Sequence, residues 1–370
     1  MSMLETISEL EHHLRPMIAY LPADAASRIA SLGKREFLKK YVQDSLDNRV
    51  VFSDNHSVKL WDITFNSPIF NAAGMFKLGY GYQVVANQGA GAFLAGTTTF
   101  HNREGNIKHK VKHPFLPFPR SEAAINWMGL PNPGHEVVAA RLSKINKMNG
   151  CPVGASLSYD STDTKEIALK NIVKGMEMYM LADVDFIEIN ESCPNVEGKS
   201  VDNNLEQGLI DRLEYISTNF IKNTERNLPV IVKLSNDTNI AQVEEVTKLL
   251  IDMGYGGVNF GNTSTRYKDL ENFIDRKEKH HYYYFYNTFG GGVSGEPLKM
   301  VSLELAEKAA STVSEISLSN EFHVIRTGGI SEKADILASE RRGISLNQWY
   351  TGYFKNFALN GHKLYKKLLD

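Results

Sequence analysis

A thiol and two carboxamides stand just past the end of an apolar run in this chain. Asn190-Glu191-Ser192-Cys193-Pro194-Asn195 follows Val184-Asp185-Phe186-Ile187-Glu188-Ile189. Strand ends of α/β proteins are where catalytic groups are displayed. Carboxamides donate to and accept from a planar polar ligand, and a thiol, as thiolate, takes a proton. Proton removal from a flat, hydrogen-bonding substrate is the chemistry on offer. The same spacing also suits a turn with a buried cysteine. A lysine closes a second apolar run, Val230-Ile231-Val232-Lys233. A charge there is costly without a partner, unless the side chain reaches solvent past the strand end. Single asparagines are commonly turn residues. Here Asn126, Asn190, Asn195 and Asn262 all fall at the junctions of apolar runs with the segments after them.

A second set of residues suits an anion. Gly290-Gly291-Gly292-Val293-Ser294-Gly295, Thr327-Gly328-Gly329 and Tyr350-Thr351-Gly352 follow late apolar runs. Glycines let backbone N–H groups close on phosphate oxygens, and late-strand loops with a helix N-terminus form the usual phosphate site of a parallel barrel.

The elements that must position these groups follow from the hydrophobic pattern. Candidate strands are Ile69–Asn71, Ala92–Ala95, Val153–Leu157, Phe186–Asn190, Val230–Lys233, Gly257–Phe260, His323–Arg326 and Ser345–Gln348. Amphipathic segments such as Thr164–Met180 and Ile240–Met253 lie between them. Eight β-then-α units predict an α/β fold, a (β/α)8 TIM barrel. Phe100–Ser121 carries prolines and no helical period, so it is expected as a long excursion above the barrel. Val58–Trp61 and Ile63–Phe65 read as a small hairpin closing the bottom.

Residues 1–45 are expected to form a small N-terminal helical extension, with residues 46–370 as the barrel. Leu4, Ile7, Leu10, Leu14, Met17 and Leu21 recur at helical spacing, and Pro22 interrupts them. A second helix is expected over Ala23–Leu32, stopped by Gly33, and a third over Arg35–Val42. These helices read either as a cap packed on the barrel or as a membrane-surface or quinone-access element. A barrel with its own core has no need of them for folding, which favours a role in access.

The composition excludes several classes. The chain has 370 residues, 42% hydrophobic, and a net charge of -2. That balance gives no global pull toward nucleic acid. Lys108-His109-Lys110-Val111-Lys112-His113 is basic but short, and reads as a solvated loop. Two cysteines, Cys151 and Cys193, do not make a disulfide framework and suit a reducing cytoplasm. No zinc spacing is present, so no metal is expected, and no segment is long enough to span a bilayer.

Taken in order, these motifs resemble the dihydroorotate dehydrogenase family of flavin enzymes. Asn71-Ala72-Ala73-Gly74-Met75-Phe76-Lys77, Ala95-Gly96-Thr97-Thr98-Thr99 and Ile125-Asn126-Trp127-Met128-Gly129-Leu130-Pro131-Asn132 come first. The Cys193 motif, Lys233, Asn262-Thr263-Ser264 and the three glycine clusters complete the set, from about Val58 to the C-terminus. The resemblance implies oxidation of dihydroorotate to orotate in pyrimidine synthesis, with FMN as hydride acceptor. It implies that Cys193 is the base and that Lys233 stabilises negative charge at the flavin's pyrimidine edge. Lys77, Asn126, Asn190, Asn195, Asn262 and Thr263 would grip the substrate. Ala73, Gly74, Lys77, Thr97, Ser156, Asn190, Lys233, Ser294, Gly295, Gly328, Gly329, Tyr350 and Thr351 would hold the cofactor.

The chain mixes features within that family. Its cysteine base, with Met128-Gly129-Leu130-Pro131-Asn132, looks like the soluble subgroup; quinone-linked members typically use serine. Asn262-Thr263, Gly292-Val293-Ser294-Gly295-Glu296-Pro297-Leu298 and Tyr20-Leu21-Pro22-Ala23-Asp24-Ala25-Ala26-Ser27-Arg28-Ile29-Ala30 look quinone-linked. Ser156 stands where many quinone-linked members have asparagine, and Gly261 where they have threonine. A quinone is the expected acceptor, and the expected location is cytoplasmic with peripheral contact on the inner membrane through the N-terminal helices. Between Arg266 and Phe289 lies an insertion rich in tyrosine. It reads as a surface hairpin packed by its own aromatics, or as a lid edge or subunit contact of a homodimer. The competing readings are an FMN-dependent reductase of another pyrimidine and a catalytically silent FMN barrel kept as a binding module.

Overall fold

The computed structural model describes residues 2–44, 49–191 and 206–370. Eight parallel strands form the barrel: β1 Ile69–Asn71, β2 Phe93–Thr98, β3 Val153–Leu157, β4 Phe186–Asn190, β5 Val230–Leu234, β6 Gly257–Phe260, β7 His323–Thr327 and β8 Leu346–Trp349. They are hydrogen-bonded in the order β1-β8-β7-β6-β5-β4-β3-β2. The seam between β1 and β2 is closed by a side chain. Asn71 donates through Nδ2 to the Leu94 carbonyl at 2.8 Å and accepts the Leu94 N–H at 3.1 Å.

The strands read as near-continuous apolar runs because both faces are buried. Alternation still decides what points inward. Phe70, Leu94, Phe186, Ile231, Ile325 and Leu346 meet in one buried cluster. The hairpin Val58–Leu60 and Ile63–Phe65 adds Trp61 and Phe65 to it, forming the barrel floor. Two residues further along three of these strands stand Glu188, Lys233 and Gln348, all buried. The barrel is therefore apolar below and polar at the end where its strands finish.

The long excursion after β2 contributes two strands, Phe115–Phe118 and Ala123–Asn126, which pair with Gly292–Gly295 in a three-stranded antiparallel sheet. The basic run is an exposed hairpin whose turn holds His109 and Lys110 at positive φ. The insertion is not a surface hairpin. It forms a short helix Tyr267–Leu270 and a longer one, Lys279–Thr288. Tyr282 and Phe285 are fully buried, and Tyr282 meets the Phe118 ring edge-on. Glu278 anchors the longer helix by accepting the N–H groups of Arg120 at 2.9 Å and Ser121 at 3.1 Å.

The N-terminal segment forms a helix Met3–Leu14, a 3-10 turn Arg15–Tyr20 and a helix Ala23–Tyr41. The expected stop at Gly33 does not occur. Asp24 in its first turn and Lys39 and Lys40 in its last complement the helix dipole along the whole length. A Cβ built on Gly33 meets nothing within 4 Å. Gly33→Ala is therefore expected to stabilise the protein by about 0.5–1 kcal/mol, read as a higher urea midpoint at unchanged slope.

The extension packs on the barrel. Tyr41 is fully buried, stacked on Phe37, Phe76 and His362. The first helix is tied to the C-terminal region, where the His362 N–H donates to Glu5 at 3.0 Å. Its apolar stripe also faces differently from a simple cap. Leu4 is buried, whereas Ile7, Leu10, Leu14, Met17 and Leu21 are exposed.

Candidate active site

At the polar end of the barrel, one carboxylate gathers donors from four strands. Glu188 on β4 accepts from Ser156 Oγ at 3.1 Å, Asn259 Nδ2 at 2.9 Å and Gln348 Nε2 at 2.7 Å. The Lys233 ammonium lies 3.7 Å from Glu188 Oε1, the oxygen that accepts from Ser156, and donates to Gln348 Oε1 at 2.9 Å. Thr327 Oγ1 donates to Asn259 Oδ1 at 2.9 Å. Burial pushes Lys233 below the usual lysine range, and the Glu188 carboxylate pulls the other way. Fixed in this way, Lys233 presents a positive charge at the cavity wall in a dry setting.

Two of the predicted asparagines meet above this layer. Asn190, ending β4, donates to Thr97 Oγ1 at 2.9 Å, and Asn262 Nδ2 donates to Asn190 Oδ1 at 3.3 Å. Asn262 Oδ1 accepts the Thr263 N–H at 2.9 Å. Thr263 Oγ1 is buried and has no hydrogen-bond partner among the described residues. Asn126 enters from the three-stranded sheet, opposite Gly292. Lys77, on the loop after β1, has its Nζ 3.7 Å from Met128 Sδ.

The glycine clusters converge elsewhere on the same wall. Ser294 Oγ lies 3.0 Å from Thr351 Oγ1, and Thr351 opens the helix Thr351–Asn360. The first N–H groups of any helix lack intrahelical acceptors. Gly329 has φ +67 and passes so close to Lys299 that a Cβ would lie 2.4 Å from its Cα. Gly295, at φ +98, would meet the Glu122 carbonyl at 2.2 Å. These are backbone positions that only glycine allows. With a helix terminus and two hydroxyls beside them, they make a cradle fitted to a phosphate group.

One cavity of about 710 Å³ joins these groups. Ala73, Gly74, Lys77, Thr97, Asn126, Asn190, Lys233, Asn262, Thr263, Ser294, Gly295, Gly328, Gly329, Tyr350 and Thr351 all line it. Ser156 does not; it lies behind the wall, linked to Thr97 at 3.0 Å and to Glu188. Cys193 and Asn195 lie outside the described residues. The cavity continues between the N-terminal helices, where Leu4, Ile7, Ile18, Ile29 and Phe37 line it. Sequence reasoning missed Glu188, Asn259 and Gln348. The signal available was a glutamate inside an otherwise apolar strand, at an inward position.

The sequence model of the dihydroorotate dehydrogenase family matches residues 56–370. Among curated relatives, a dihydroorotate dehydrogenase (quinone) of Crocosphaera subtropica is 27% identical over 321 residues, covering 85% of this chain and 79% of the relative. Its counterpart in Nostoc punctiforme is 27% identical, covering 89% and 84%. A crystal structure of the Eimeria tenella dihydroorotate dehydrogenase in complex with ferulenol superposes with a TM-score of 0.73 at 20% identity, covering 91% of this chain and 89% of that one. At that identity the superposition speaks for the fold.

Proposed function

Because the chain belongs to the dihydroorotate dehydrogenase family, we propose that it oxidises dihydroorotate to orotate in pyrimidine synthesis and passes the electrons to a quinone. The observation that carries this reading is the single cavity, polar and cradle-like at the barrel and continued between the N-terminal helices, where Leu4, Ile7, Ile18, Ile29 and Phe37 line it beside Glu11, His12, Arg15, Glu36 and Lys40. A planar, carboxylate-bearing substrate suits the first part, and a greasy acceptor suits the second.

FMN is the cofactor that fits. Ser294, Gly295, Gly328, Gly329 and Thr351 would hold its phosphate, and Ala73, Gly74, Thr97, Lys233 and Tyr350 would surround the rest. Ser156 would contribute through Thr97 and Glu188. Once bound, FMN would accept hydride from the substrate and hand the electrons on.

The chain's own residues do the remainder. Asn126, Asn190, Asn195 and Asn262, with Thr263, supply donors and acceptors to the edge of a pyrimidine ring, and analogues that leave them unpaired are rejected. Lys77 would meet the substrate carboxylate. Cys193 would take the proton adjacent to the carbonyl; a free thiol with a pKa of about 8.5 lies nearer ambient pH than a hydroxyl does. Lys233 would stabilise negative charge building at the cofactor.

Among the described residues no helix is long and apolar enough to cross a membrane. Met3, Leu10, Leu14, Met17 and Tyr20 are more than half exposed on the N-terminal helices. Such a surface supports peripheral contact with a membrane, from which a quinone would enter.

The test is anaerobic reduction by dihydroorotate followed by reoxidation with a short-tailed benzoquinone, fumarate and a nicotinamide cofactor in turn. Yellow protein bleached by dihydroorotate and recoloured fastest by the quinone is the expected result. A colourless preparation that cannot be loaded with FMN, or flavin that dihydroorotate does not reduce, defeats the reading.

A further inference from the structure

Lys34 stands where the apolar passage meets the polar site. Its Nζ is 3.9 Å from the centre of the Phe115 ring and 4.8 Å from that of Tyr350. It lies 4.0 Å from Met128 Sδ, the same sulfur that Lys77 approaches. Among the described residues no carboxylate pairs with it. The four glutamates lining the cavity are engaged elsewhere, Glu11 with Arg15, Glu36 with Lys39, Glu122 with Lys355 and Glu296 with Lys299. The Lys34 ammonium is thus held by two ring faces and a thioether, which are weak substitutes for water. Burial, and then the like charge of Lys77, hold it well below the usual lysine range. A half-buried cation so placed favours any ligand that brings it an acceptor oxygen.

We propose that Lys34 seats the electron acceptor, donating a hydrogen bond to a carbonyl oxygen of the quinone head while the tail lies along Ile7, Ile29 and Phe37. This rests on the quinone reading above and names the group that recognises the quinone. A small dicarboxylate could also meet the charge, but it would leave the apolar passage unfilled. A quinone satisfies both, with one polar atom for one donor and hydrocarbon for the rest. The same placement makes Lys34 a specificity-determining residue, since an acceptor lacking the carbonyl would leave the ammonium unsatisfied.

The test compares the native enzyme with Lys34→Met and Lys34→Arg. Steady-state kinetics are measured with a short-tailed benzoquinone, alongside anaerobic stopped-flow reduction by dihydroorotate. A lost hydrogen bond to a charged group predicts a fall of about 10–100-fold in kcat/KM for the quinone, carried mainly by KM. Lys34→Arg should recover most of it. The KM for dihydroorotate and the rate of flavin reduction should not follow. Met at this site removes a half-buried charge that no carboxylate pairs with, so thermal unfolding should not occur earlier than in the native protein. An unchanged quinone KM in Lys34→Met overturns the proposal. A raised dihydroorotate KM also overturns it, because Lys34 would then belong with Lys77 at the substrate. A native enzyme that fumarate or a nicotinamide reoxidises and the quinone does not would defeat the quinone reading itself, and the proposal with it.

Discussion

Replacing Cys193 with alanine should leave FMN bound but slow its reduction by dihydroorotate about 10²–10⁴-fold, the usual loss when a general base is removed. The described polar groups at the barrel end of the cavity are mainly carboxamides, hydroxyls and lysines; Glu11, His12, Glu36, Glu122 and Glu296 also line it. Carboxamides do not accept a proton at neutral pH, and the lysines would have to be neutral to do so. Glu188 is a carboxylate in the right region, but four side chains surround it and it does not line the cavity. The family resemblance makes the Cys193 thiol the proposed proton acceptor. Cys193→Ser should fall between the two, with its rate rising at higher pH because a hydroxyl is harder to ionise. Stopped-flow reduction of the anaerobic flavin across pH checks both. Reduction of Cys193→Ala at the native rate would remove Cys193 from the mechanism, and an unshifted pH profile in the serine variant would count against its role as base.

Much of the barrel was legible because burial on both faces writes long apolar runs. The eight expected strands each overlap an observed one, with ends differing by a few residues. Side-chain roles above the barrel were legible only where a motif fixed them. Glu188 was not, since its meaning lies in Ser156, Lys233, Asn259 and Gln348, which come from four other strands. The period-3.6 pattern of the N-terminal segment gave its helices but not the direction they face. An apolar stripe reads alike whether it covers a core or borders a cavity mouth. Gly33 misled for a related reason. Glycine weakens a helix by about 1 kcal/mol, too little to end one that packing holds on both sides. The insertion was misread because its tyrosines favour strands in isolation. The buried Glu278 anchor and the rings of Tyr282 and Phe285 override that preference.

The Lys233–Glu188 pair can be dissected by charge. Lys233→Met should cost about 3–5 kcal/mol of stability, because it leaves a buried carboxylate without its cation. Its three neutral donors soften that loss, which places the expectation toward the lower end. Glu188→Gln in the same chain removes the remaining charge while keeping one acceptor oxygen for Asn259 and Gln348, its amide N–H facing the Ser156 hydroxyl, which can accept. The double variant should therefore recover most of the stability, a coupling that urea unfolding of the four proteins in a cycle measures directly. Chemistry should not recover with it. If Lys233 stabilises negative charge on the reduced cofactor, both variants lacking it should show a lower flavin midpoint potential and slower reduction by dihydroorotate. Stability that returns while the potential stays low would separate the lysine's two tasks. A single Lys233→Met variant as stable as the native protein would mean that the pair contributes little to the fold. A double variant that regains the native potential would mean that the charge at position 233 does not act on the cofactor.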